Sequence, residues 1–83
     1  MPSTNTVRAH YQYVKMFVHR LEDHWLVQLH DTKYGEWVNP EKAFLTAEKA
    51  QAEAIRVAIS QMMHNGDRPS QDPNSVVWTE SEK

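Results

Sequence analysis

The sequence predicts a small α+β domain: a three-stranded antiparallel sheet with one helix packed on one face, in the order β-β-β-α, and a C-terminal tail that supplies an extra edge strand. Three observations carry this. Apolar residues recur at every second position between His10 and Val38, the period of a half-buried strand. Between Thr46 and Gly66 they recur every three or four positions, the period of a helix. The run DRPSQDPNS that follows suits neither element, because proline removes a backbone donor and its neighbours favour turns. The chain therefore divides into a flexible N-terminus over residues 1–9, a domain over 10–66, and a flexible or weakly docked tail over 67–83.

The first expected strand is HYQYVKMFVHR, His10 to Arg20, with Val14, Met16 and Val18 on one face and Tyr11, Tyr13, Lys15, Phe17 and His19 on the other. The second is HWLVQLH, His24 to His30, with Trp25, Val27 and Leu29 opposed to His24, Leu26, Gln28 and His30. A turn at Glu22-Asp23 sets Val18 against Val27, Met16 against Leu29 and Arg20 against Trp25. A slip of one residue would split the two apolar sets between faces, so the pattern itself selects this register. Glu36-Trp37-Val38 forms a short third strand after the polar turn Thr32-Lys33-Tyr34-Gly35, and Asn39-Pro40 ends it.

The helix is the segment whose start, interior and stop signals all agree. Thr46 offers a hydroxyl to an unpaired amide of the first turn, Glu48 sits at the positive end of the dipole, and Asn65-Gly66 supplies the left-handed stop. Ala47, Ala50, Ala54, Ala58 and Met62 make a central stripe, flanked by Ile55 and Val57. Lys49, Glu53, Arg56, Ser60 and His64 take the other side. Small residues suit close packing on a sheet, and Phe44 and Leu45 are expected to anchor the approach to the helix. In the tail, Ser75-Val76-Val77-Trp78-Thr79 is an island of strand formers, expected to dock as an edge strand.

Composition narrows the function classes. A chain of 83 residues holds one domain and buries a modest fraction of its surface. It has no cysteine, which removes disulfides, thiolate metal sites and thiol catalysis, and favours a cytoplasmic setting. No apolar run approaches the roughly 20 residues of a membrane span, and the start MPSTNTVRAH lacks the apolar centre of a secretion signal. The net charge of −2 is spread among interspersed acids and bases, unlike that of a dedicated phosphate-backbone binder.

Five histidines raise the question of a metal. His24 and His30 lie about 20 Å apart along one strand and cannot share an ion. His19 and His24, near Glu22 and Asp23, are the one pairing with suitable ligand types, and solvated histidines on a polar face account for them as well. No histidine and carboxylate converge for acid–base work, no serine sits in a nucleophile elbow, and with only Gly35 and Gly66 there is no phosphate-binding glycine loop. The sequence is read as non-enzymatic, with no cofactor and no metal.

The face carrying Tyr11, Tyr13, Lys15, Phe17 and His19 beside Leu26, Gln28 and His30 is the candidate interaction surface, with Trp78 of the tail. An apolar sheet face away from the only helix suits a second subunit, so the first expectation is a protein–protein interaction module that forms a homodimer. Aromatics interleaved with a lysine also match single-strand nucleic-acid platforms, which is the alternative.

From His24-Trp25-Leu26-Val27 through Phe44-Leu45-Thr46 and Ala52-Glu53-Ala54-Ile55, the order of features resembles small bacterial hairpin-plus-helix domains, including HicB-like antitoxins and related families. The chain lacks the glycine-rich segment those antitoxins carry between strand and helix. The resemblance implies a sheet crossed by one helix, often used in dimers, and transfers no functional residue.

Overall fold

Two turns of two residues each, Gln12-Tyr13 and Glu22-Asp23, lay out the sheet. The computed structural model describes residues 6–80. Strands β1 (Thr6–Tyr11), β2 (Val14–Leu21) and β3 (His24–Asp31) form a meander, followed by β4 (Glu36–Val38), β5 (Ala43–Phe44) and helix α1 (Ala47–His64). A single 3-10 turn at Pro73–Ser75 leads to β6 (Thr79–Glu80). All pairings are antiparallel, in the order β4-β3-β2-β1-β6, with β5 pairing β3 beyond β4. The α+β class, the single helix on one face and the C-terminal edge strand are those the sequence predicts.

The register of β2 against β3 is the expected one: Val18 faces Val27, Met16 faces Leu29, and Arg20 faces Trp25. Strand β4 also coincides with the expected Glu36-Trp37-Val38. The first expected strand differs. It is two strands folded at Gln12, which takes a φ of 53°. Thr6 to Ala9, expected in a flexible N-terminus, are therefore the start of β1, while residues 1–5 lie outside the described residues.

The turn changes which side chains share a face. In a continuous strand Tyr11 and Val14 would point to opposite sides, being an odd number of positions apart. Across a two-residue turn they are directly paired and point to the same side. Tyr11 thus belongs to the core, 1% exposed, among Val14, Met16, Val18, Val27 and Leu29.

Against this face α1 sets Ala50, Ala54, Ala58 and Met62, all buried, with Ile55 partly so. The alanines let the helix approach closely, and each large apolar side chain removed from water contributes about 1.5–3 kcal/mol. Thr46 Oγ1 accepts from the Lys49 amide at 3.2 Å. At the other end Gly66 has a φ of 86°, with Gly66 N–H donating to Met63 O at 3.0 Å and Asp67 N–H to Met62 O at 2.9 Å. These are the paired bonds of a Schellman stop. Phe44 packs on the core, whereas Leu45, expected beside it, is 81% exposed because the bend before Thr46 turns it outward. No helix among the described residues is long and apolar enough to cross a membrane.

After α1 the chain runs back along β1. Gln71 Oε1 accepts from the Gln12 amide at 2.8 Å, Gln12 Oε1 accepts from the Ser70 amide at 2.9 Å, and the Tyr11 hydroxyl donates to Gln71 O. The tail then docks at the open edge of β1, where Thr79 pairs with Arg8 and Glu80 with Val7. The edge strand begins later than the expected Ser75, since Pro73–Ser75 is helical and Val76–Trp78 do not pair.

Candidate interaction face

The face of the sheet opposite α1 carries no covering element among the described residues, and the strand registers place its side chains in rows. One row runs His10, Lys15, His30, Trp37 across β1 to β4. The next runs Thr79, Arg8, Phe17, Gln28 from β6 to β3. A third runs Thr6, His19, Leu26, Ala43, ending on β5. Directly opposed residues share a face, so these rows are contiguous at strand spacing.

The aromatic rings of these rows are nearly parallel. His30 and Trp37 stack with centroids 4.2 Å apart and planes 12° from each other. Phe17 lies 6.2 Å from Trp37 at 25° and 6.2 Å from His19 at 9°. His19 is held from both sides, Nδ1 3.1 Å from Thr6 Oγ1 and Nε2 3.4 Å from Gln28 Oε1. Trp37 is 54% exposed although it is one of the largest apolar side chains in the chain.

Among the described strands the carboxylates are confined to one face, which also carries Arg20. The described strands contain three carboxylates, Asp31, Glu36 and Glu80. Asp31 is buried under α1, and Glu36 accepts from Gln61 of α1 at 2.9 Å. Glu80 pairs with Val7, a residue packed on the core. All three therefore stand on the helix side. Arg8 and Lys15 stand on the open face with no ion-pair partner among the described residues, whereas Lys33, Lys42 and Arg56 each have one. A chain of net charge −2 thus presents a sheet face on which the fixed charges of the described strands are all positive.

Beside these rows the returning tail borders a half-open cavity of about 520 Å³, lined by the side chains of Arg8, His10, Lys15, Phe17, Val77 and Thr79 together with Ala9. It exists because Val76–Trp78 leave the edge of β1 before the short pairing at Thr79.

No known protein family, curated protein or solved structure matches this chain.

Of the surface residues expected from sequence, Lys15, Phe17, His19, Leu26, Gln28 and His30 are together on the open face. Tyr11 is in the core, for the reason given above. Tyr13 lies in the turn, where its hydroxyl donates to Asp67 and accepts from Asn65 Nδ2 at 3.3 Å. Burial and the bond to Asp67 both raise its pKa. Trp78 is on the helix side and packs on the core, because Thr79 beside it faces the other way. The sequence reading missed Arg8, His10 and Trp37. Arg8 and His10 alternate with Val7, Ala9 and Tyr11, a strand signal that a shorter first strand would have exposed. His19 and His24, the one expected histidine pairing, face Leu26 and Leu21 rather than each other. Among the described residues no three histidine or carboxylate side chains converge to hold a metal ion.

Proposed function

We propose that this protein binds single-stranded nucleic acid on the open face of its sheet, with bases lying on Phe17, Trp37 and His30 and phosphates meeting Arg8 and Lys15. The composition of the open face carries this reading: aromatic rings and two cations without ion-pair partners among the described residues share a face from which every carboxylate of the described strands is absent. Aromatics on an antiparallel sheet stack bases of any sequence, and neighbouring cations take the backbone. Four strands at about 4.8 Å spacing span roughly 14 Å, room for two or three bases. A homodimer through the same face would set the fixed cations of each copy against a surface whose described strands offer no carboxylate to pair them, which disfavours it.

Fluorescence anisotropy of short labelled single strands tests the proposal. Affinity is expected to fall with salt, with a log–log slope of about −1.4 for two phosphate contacts at ~0.7 each. Trp37→Ala and Phe17→Ala should each weaken binding by about 1–3 kcal/mol. Lys49→Gln, which removes the same charge from α1, should leave it unchanged. Absence of binding at low salt, together with self-association in sedimentation, would assign the face to a second copy of the chain.

A further inference from the structure

We infer that the cavity between β1, β2 and the returning tail holds one nucleotide unit of the bound strand, its base between Phe17 and Val77 and its phosphate between Arg8 and Lys15. This rests on the proposed nucleic-acid reading and adds to it a discrete subsite at one end of the face.

The lining has two kinds of wall. Arg8 is directly across from Phe17, and Lys15 stands two positions before Phe17 on the same face of β2 with His10 across from it, so two fixed cations flank one aromatic ring. The facing wall is Val77, which is 73% exposed although apolar and lines the cavity from the tail. Thr79 completes the lining, its backbone paired to Arg8. A flat ring between two apolar walls with an anionic group at its rim matches this arrangement. A peptide carboxylate would satisfy the cations but leave both walls uncovered. The volume of about 520 Å³ lies within the range of small-molecule sites and admits one such unit rather than a run of strand.

The tail before this wall is anchored by contacts remote from the cavity. Gln71 and Ser70 hold the Gln12 turn, and the Tyr11 hydroxyl holds Gln71 O. No carboxylate is among the described lining residues, so an anionic group meets no like charge from them.

The test titrates the isotope-labelled full chain with adenosine and uridine monophosphates and with the parent nucleosides, following amide shifts, alongside the oligonucleotide measurement. Monophosphates are expected to shift Arg8, His10, Lys15, Phe17, Val77 and Thr79, and the nucleosides to bind about tenfold more weakly for loss of the charged contacts. Val77→Trp, a change at an exposed position, should fill the cavity and abolish the monophosphate shifts while leaving salt-dependent oligonucleotide binding measurable. Oligonucleotide binding with monophosphate shifts confined to Trp37 and His30, or unaltered by Val77→Trp, would overturn the subsite and leave the platform standing. Shifts in the cavity without oligonucleotide binding would support the nucleotide site and overturn the platform. Neither signal would overturn both.

Discussion

Asn65 Nδ2 donates to Asp31 Oδ2 at 2.7 Å, so the residue that ends the helix also closes the buried end of β3. Asp31 is the one fully buried carboxylate among the described residues and takes three further bonds, from Gln61 Nε2 at 3.1 Å and from the Lys33 and Tyr34 amides at 3.0 and 3.2 Å. It joins helix, strand and the turn after the strand at one point. Removing it by Asp31→Ala leaves several buried donors unpaired at about 1–3 kcal/mol each. Thermal unfolding should show Tm lower by more than about 10 °C.

The same site sets an acid limit to stability. Burial pushes the Asp31 pKa up, but the bonds from Asn65, Gln61 and the two amides outweigh burial and hold it below the ordinary carboxylate value. The unfolded chain therefore binds more protons in the acid range, so stability from Asp31 is fully present above the unfolded pKa of about 3.9 and is lost as pH falls through the folded value. Asp67 shifts in the same direction through its bonds to Tyr13 and Lys33, and Glu53 through its bond to Arg56. Denaturant unfolding between about pH 6 and pH 2 should show falling stability below pH ~4. In Asp31→Asn the slope should be shallower, and an unchanged slope would remove Asp31 as its source.

Ala54 and Ala58 are fully buried between α1 and the sheet. Ala54→Leu or Ala58→Leu should overpack the contact at about 1–3 kcal/mol, seen as a lower denaturation midpoint. Arg56→Ala, which removes the exposed partner of the largely buried Glu53 and leaves it Lys42 at 3.9 Å, should cost about 1 kcal/mol.

Glu22 adopts a φ of 60° as the first residue of the β2–β3 turn, where a side chain is disfavoured. Glu22→Gly relieves that strain and offsets the entropy glycine adds to the unfolded chain, so Tm should hold or rise slightly. Glu22→Val should lower stability by about 1–2 kcal/mol. Equal melting of the two variants would argue against the left-handed turn.

Tyr11→Phe keeps the ring in the core and removes only the bond to Gln71 O. It should cost about 0.5–1.5 kcal/mol and speed amide exchange at Thr79 and Glu80, because the tail loses an anchor. Exchange at these two amides as slow as in the parent would mean that the edge pairing holds the tail unaided.

The helix, its two caps, the register of β2 against β3 and the small β4 were legible because each rests on local information. Thr46 and Gly66 signal the helix ends within a turn, and the Val14-Met16-Val18 and Trp25-Val27-Leu29 alternations admit one register that buries both sets. The open face was legible only in part. Lys15, Phe17 and His30 follow from strand period, but Arg8, His10 and Trp37 join them through pairings with distant partners. What decided the rest is the turn at Gln12-Tyr13, which has no glycine, asparagine or proline to announce it. It is held by Gln71 and Ser70, which lie 59 and 58 residues away. A turn stabilised by such contacts leaves no mark within its own stretch of chain, and a two-residue turn reverses the phase of every side chain after it. That reversal put Tyr11 in the core and, with β1 now a separate strand, brought Arg8 beside Phe17. The strand periods are written in the local sequence, but where the strand folds back depends on bonds that exist only once the tail has returned.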